Sequence, residues 1–539
     1  MEQGGTLKSE NDKGTIITNH DKDKASSNTV TIDANGKNDK VEVTLKDVNI
    51  DASRGSEAAV SVTGKGDTTI ELDGDNELKS GAGHAGLEHN KTDTSGELTI
   101  QDKDNNGSLE AAGGFKGAGI GSAGSNDAQV KITGGNITAT TSDDWGAGIG
   151  SGSYGTGTVE ITGGEINATG GYLGAGIGGG CNGSGNVTIS GGTITAAGSD
   201  GAAGIGGGYY NGATVTITGD AVIKNASSTK YGAGIGGGNG SDGNVTISGN
   251  AKIENATGGY GAAGIGGGAF SSPDKIGNGN VVIKDNAKID NVQGGAYGAG
   301  IGGGIYGLSN VTIEGNTKVN ATGGAGGAAI GGGAGAENNS DNNGNQITIK
   351  SNENGSPTIN AVGGGTDEGE KIVIGGAGIG AGCESDADAD ITLEGKVTIT
   401  ATAGKDNVAI GANGIEQEFS GLAEGSSITR YDSEGNDITL PTDPVPAVPS
   451  SSGGSSADAS VQESVFPGLV VTDKDGQRIS YTSIRDNNVL SLRVGRFTAS
   501  LRASLATLRQ LRAEGIDTIT FQTLSLIHIS EPTRPEPIS

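Results

Sequence analysis

The chain has 539 residues and a formal charge of −28, from 35 Lys and Arg against 63 Asp and Glu. Gly occurs 106 times, close to one residue in five, and aromatics make up only 3%. The acidity excludes a nucleic-acid backbone or an anionic membrane surface as partner, because both would be repelled. No apolar run approaches the ~20 residues that span a bilayer, and two Cys exclude a disulfide-rich scaffold.

In chain order, Met1–Gly5 leads straight into polar sequence, without the basic and apolar stretches of a secretion signal. Thr15–Leu109 holds strand-like strings at Val41–Leu45, Val48–Ile50, Ala59–Val62, Thr68–Leu72 and Glu97–Ile100. These read as irregular first coils (residues 1–110) of the array that follows. From residue 111 a motif written AGIGGG, or a close variant, returns with its Ile at Ile120, Ile149, Ile177, Ile205, Ile235, Ile265, Ile301, Ile330, Ile379 and Ile410. Degenerate earlier copies fall at Leu87 and Val60. Between copies lie two further alternating strings, such as Val187–Ser190 and Thr193–Ala196. Three period-two pieces per unit, separated by Gly or Asn turns, predict a right-handed parallel β-helix with repeats of ~28–30 residues over residues 111–423. Stacked at ~4.8 Å, a dozen coils make a rod of roughly 55 Å. The wider Ile gaps predict extra loops around Ser271–Gly277 and Ala336–Pro357, the second admitting an additional coil.

Residues 424–460 are a tapering end and a Pro/Ser/Gly linker. Residues 461–523 differ in character, with a charge of +2. Hairpin-like sequence at Phe466–Leu492, turning at Asp473–Gly476, precedes leucines at 501, 505, 508 and 511 that predict a helix over Thr498–Glu514. Ile516–Phe521 begins another strand, so this is a small, partial α+β domain. Residues 524–539 stand apart: Leu524–Arg534 (LSLIHISEPTR) resembles a translated sequencing adapter, which makes the chain a fragment and takes this tail out of the fold.

Eleven of the thirteen aromatics before the linker lie within five residues of a motif Ile. Phe115, Trp145, Tyr172, Tyr231, Tyr260 and Tyr297 precede it; Tyr154, Tyr209, Tyr210, Phe270 and Tyr306 follow it. Stacking would align them in two files flanking the Gly-rich strand, suited to sugar rings or other extended ligands. Covering the glycine corners is the other use of such files. Cys181 and Cys383 share one column, six motif steps or about 29 Å apart, too far to pair. Asp102, Asp104 and Asn106 alternate as calcium-loop oxygens do, without the EF-hand Glu at position twelve, and Asp73–Asn76 and Ser385–Asp390 are similar acidic turns. Solvated turns are the plainer reading. Catalysis is poorly served. His20, His84 and His89 are the only His before the tail, no Arg occurs between Arg54 and Arg430, and the acidic pairs Asp143–Asp144 and Asp367–Glu368 have adjacent members on opposite strand faces. No catalytic residue is assigned.

Glu71–Gly86, Gly107–Gly121 and the alternation of VTISGGTITA with AGIGGG resemble the glycine-rich β-helical surface proteins of gut Firmicutes, the carbohydrate-binding-domain or adhesin-like group. The resemblance covers about Gly14–Ala423. It implies a secreted or wall-attached protein, contact with polysaccharide or host glycan, and Ca2+ with acidic plant polysaccharide in some relatives; a monomer is expected. No sorting motif or wall-binding repeat is visible, so anchoring to the bacterial cell wall is inferred. The leading expectation is a non-enzymatic extracellular glycan binder. The alternatives are a structural stalk displaying residues 461–523 and, below it, a polysaccharide lyase or hydrolase.

Overall fold

In the computed structural model, the described residues are 6–8, 13–141, 145–269, 275–337, 344–366 and 374–444, then 469–472, 482–486, 488–493, 500–503, 508–509, 511–512, 515–522 and 526–527. The first of two units, Met1–Ala447, is a parallel β-solenoid of about 14 turns. Each turn lends one strand to each of three sheets. The motif Ile residues stack directly, Ile120 to Ile149, Ile177, Ile205 and onward to Ile410. Upstream the same ladder runs through Leu87, Val60 and Val30, so the degenerate copies are true coils. The second sheet stacks Val159, Val187, Val215 and Val245; the third stacks Ile166, Ile194, Ile223 and Ile253. Strands alternate buried and exposed residues, as in Gly157–Ile161 and Glu165–Thr169, because a coil can bury its aliphatic side chains only against the coils above and below it.

The first sheet is unusual in having strands of two residues, Ile–Gly, through the regular coils. Around them the chain closes on itself: Ala175 N–H donates to Gly179 O at 2.9 Å, and Ala203 N–H to Gly207 O at 2.9 Å. The segment is a narrow inward loop, buried throughout. Glycine is required because backbones of adjacent coils touch. Gly206 has φ +139, and a Cβ there would lie 2.0 Å from Gly236 O.

Ile330 pairs directly with Ile379, so the 49-residue gap is one coil and holds no additional one. Its surplus lies before Asn345–Lys350, between that strand and Thr358–Val362, and after Val362. Asp73–Asn76 is not a turn. It lies inside a 13-residue strand, Asp67–Lys79, that bends at Gly74 (φ +66) and serves the second and third sheets in succession.

The far end is closed by a polar plug. Ile N–H groups normally donate to the next coil, as Ile379 does to Ala409 O at 2.9 Å. At Ile410 the Glu416 carboxylate accepts instead, from Ala409 N–H (2.6 Å) and Ile410 N–H (3.1 Å). Arg430, fully buried, bonds Glu416 at 2.5 Å and grips Asp443 through Nε (2.7 Å) and Nη2 (2.9 Å). Its Nη2 also donates to Gln417 O at 2.7 Å, and Phe419 lies over the guanidinium at 5.6 Å. Third-sheet pairing continues through Ser427–Tyr431.

In the second unit, Val448–Ser539, the hairpin pairs Thr482–Asp486 with Val489–Arg493, which also runs parallel to Thr518–Gln522. Val471, Leu490, Leu492, Leu511, Ile516 and Phe521 form its core. The helix predicted from Thr498 does not begin there. Ser500–Ala503 is a strand antiparallel to Leu469–Thr472, because the spacing around Leu501 suits strand alternation as well as a helix face. Asp473–Gly476 lies outside the described residues.

Candidate functional site

The inward loop has a second consequence. The turn four residues before each motif Ile and the turn four to five residues after it come together at the loop's mouth. Trp145 O accepts from Cys181 N–H of the next coil (2.7 Å), Leu173 O from Tyr209 N–H (3.1 Å), and Tyr231 O from Ala269 N–H (2.7 Å). The two files therefore run side by side as one band, which occupies the seven coils from Ile120 to Ile301. At ~4.8 Å per step that is about 29 Å along the axis.

Within the band, Phe115, Tyr154, Tyr172, Tyr231 and Tyr260 are exposed, Tyr154 most at 57%. Trp145, Tyr209, Tyr210, Tyr297 and Tyr306 are half-buried. Phe115 and Trp145 lie 5.8 Å apart, with the Lys116 ammonium 5.1 Å and 5.2 Å from their centroids. Tyr231, Tyr260 and Tyr297 form an edge-to-face ladder at 6.1 and 5.6 Å. Tyr209 and Tyr210 sit with centroids 3.8 Å apart, their hydroxyls bonded at 2.8 Å, and Lys275 stands 4.0 Å over Tyr210. Burial first, then the bond to Tyr210, pushes the Tyr209 hydroxyl well above the ordinary tyrosine range. Phe270 lies outside the described residues.

Five of these tyrosines have left-handed backbones: Tyr154 (φ +66), Tyr210 (+63), Tyr231 (+51), Tyr297 (+72) and Tyr306 (+63). In other coils the equivalent left-handed turns are made by glycine, at Gly201, Gly240, Gly261, Gly326 and Gly335, or by Lys116, Ser125, Leu173, Asn182, Glu384 and Asp406. A bulky L-residue there costs about 1–2 kcal/mol that glycine avoids.

The acidic loop at Asp102 gains a member the sequence reading missed. Glu71, Asp102 and Asp104 place carboxylate oxygens within 4.8 Å of one another, since Glu71 is the register partner of Gln101 one coil away. Ladder counting would have found it. Both Asp102 oxygens already accept backbone N–H groups, from Asn106 (3.2 Å) and Gly107 (3.0 Å), while the Asn106 amide donates to Asp104 (3.0 Å). Lys103 pairs with Glu42 at 2.6 Å and Glu71 at 3.4 Å. Ca2+ takes about six to eight oxygens, so three carboxylates partly engaged elsewhere fit it incompletely.

Among the described residues, the histidines assemble no catalytic group with the band. Glu88, buried, takes Ala85 N–H (3.1 Å), the Asn90 amide (3.1 Å) and a His84 ring nitrogen (2.8 Å), which staples the Ala85–Glu88 corner. His89 is buried, and desolvation holds its pKa below the usual imidazole value. Asp143–Asp144 and Asp367–Glu368 lie outside the described residues. Cys181 and Cys383 are free and buried, each thiol pushed up to about 11 by desolvation. Both are expected to stay unmodified by iodoacetamide at pH 7.5 in the folded protein and to react on denaturation; prompt native labelling would contradict their burial.

Among known proteins, the family described as Beta helix repeat matches residues 130–153, 159–181, 187–209 and 245–269. No curated protein and no solved structure matches the chain. With the ladders above, those four matches make this a parallel β-helix repeat protein.

Proposed function

We propose that the solenoid is a non-enzymatic, extracellular glycan-binding rod whose aromatic band holds an extended polysaccharide by repeated stacking contacts. The observation that carries this reading is the set of five left-handed tyrosines. Sister coils make the same turns with glycine or with Lys116, Ser125, Leu173, Asn182, Glu384 and Asp406, so the turn itself does not call for an aromatic ring, and five such rings gathered in one band argue for a use outside folding. Each ring contact contributes about 0.5–1.5 kcal/mol, and contacts on one rigid support add through effective concentration. Among the described residues no helix is long and apolar enough to cross a membrane.

The test is binding of xylan, a neutral β-glucan, polygalacturonate and mucin O-glycans, with and without Ca2+. Saturable binding to at least one is expected, weakening about five- to tenfold when both Trp145 and Tyr172 become Ala. A calcium requirement abolished by Asp104→Asn would assign the metal to the Glu71–Asp102–Asp104 cluster. Silence with all four in both conditions would sink the reading and favour the stalk. The edge-to-face packing of Tyr231, Tyr260 and Tyr297 on one another is the observation on the stalk's side.

A further inference from the structure

The middle of the band differs from its flanks. In the coil of Ile205 the turn before the motif carries Gly201 at φ +97, and a Cβ there would lie 2.5 Å from the Tyr209 ring and 3.4 Å from Asn239 Cβ. The absent side chain lets the Tyr209 ring and Asn239 pack around one point. Asn239 is fastened there by its N–H, which donates to Gly201 O at 2.7 Å. Asn239 as a whole is 4% exposed, yet its Oδ1 has no hydrogen-bond partner. A buried amide oxygen left unpaired is a standing cost, and in native proteins such groups are few and each calls for a partner or a role. The Tyr209 ring that flanks the same point bonds its hydroxyl to that of Tyr210, with Lys275 over the second ring.

We infer that Tyr209, Tyr210 and Asn239 form a hydroxyl-reading subsite for one sugar ring, reached when the Tyr209 ring lifts from Gly201. The ring of the ligand replaces the tyrosine's cover, one of its hydroxyls donates to Asn239 Oδ1, and another joins the tyrosine hydroxyl pair. The opening is favoured by the ligand because only the open state satisfies the amide. This rests on the glycan reading and adds to it where specificity resides: the flanking rings stack on any sugar, whereas this coil selects by hydroxyl position.

The test uses the whole chain, the four polysaccharides named above, and the variants Asn239→Leu and Tyr209→Phe beside Trp145→Ala. Asn239→Leu is expected to leave the unfolding midpoint unchanged or raised, since it removes an unsatisfied group, and to weaken binding about tenfold. Tyr209→Phe, which keeps the ring, should weaken binding about threefold to tenfold and narrow the preference among the four probes. An affinity unchanged in both variants, with Trp145→Ala still weakened, would overturn the subsite and leave the wider reading standing. A destabilised Asn239→Leu with wild-type affinity would assign Asn239 to structure and overturn it equally. Failure of the unaltered chain to bind any probe would remove both.

Discussion

Replacing Gly206 with valine is expected to break the solenoid at its middle. The new Cβ would lie 2.0 Å from Gly236 O, a backbone atom held by the coil above, and the residue would keep φ +139. Neither neighbour can move alone, because Gly178, Gly206, Gly236 and Gly266 repeat the contact coil after coil. Backbone strain and overpacking together amount to about 3–5 kcal/mol. In a stack where coils contact only their neighbours, the damage should be local. Hydrogen exchange is expected to lose protection around Ile205 and Ile235 while the coils near Ile50 and Ile399 keep theirs. Gly365→Ala is the control, since nothing lies within 4 Å of its Cβ position and its φ is ordinary; it should change stability by less than about 0.5 kcal/mol. Equal behaviour of the two variants would refute the inward-loop account of the glycines.

The second large effect is expected at the far end. Arg430→Met leaves the buried Asp443 carboxylate and the Glu416 carboxylate without their cation, although Met fills much of the space. Removing one member of such a buried set costs about 3–5 kcal/mol. Protease sensitivity should appear first between Ile410 and Pro444, and the fraying should then move inward. Lysine is not expected to rescue, because one ammonium cannot serve Glu416, Gln417 and both Asp443 oxygens. Adding Asp443→Asn to Arg430→Met should recover part of the loss by removing the stranded charge. A full-strength plug in the single variant would mean that pairing of Ser427–Tyr431 alone closes the stack.

These two sites differ in how well the sequence announces them. The Ile ladder was legible because one residue type recurs in one column, and even Val60 and Leu87 kept the spacing where the motif had decayed. The plug was not legible. Arg430 meets Glu416 and Asp443 once each, in a segment with no repeat against which to align them. The band lies between these cases. Its aromatics could be counted from the motif Ile, but their union into one surface depends on the bond from Ala175 to Gly179, a closure invisible in a Gly-rich string. The left-handed tyrosines were hidden for the same reason. Only comparison with Gly201, Ser125 or Asn182 at equivalent turns shows that the turn does not require tyrosine. Glu71 was missed because its partner Asp102 lies one coil downstream, and the Leu501 segment because leucine spacing there serves either a helix or a strand.

The most direct test of the central claim reads stability and binding on one variant. Replacing Tyr154, Tyr210, Tyr231, Tyr297 and Tyr306 together with glycine removes the strained side chains and installs the residue found at five equivalent turns. The account predicts an unfolding midpoint equal to or above that of the unaltered chain, with polysaccharide binding reduced by at least about a hundredfold. A protein that loses its fold while the residual folded fraction binds normally would contradict it, and would make the tyrosines structural cover for the glycine loop.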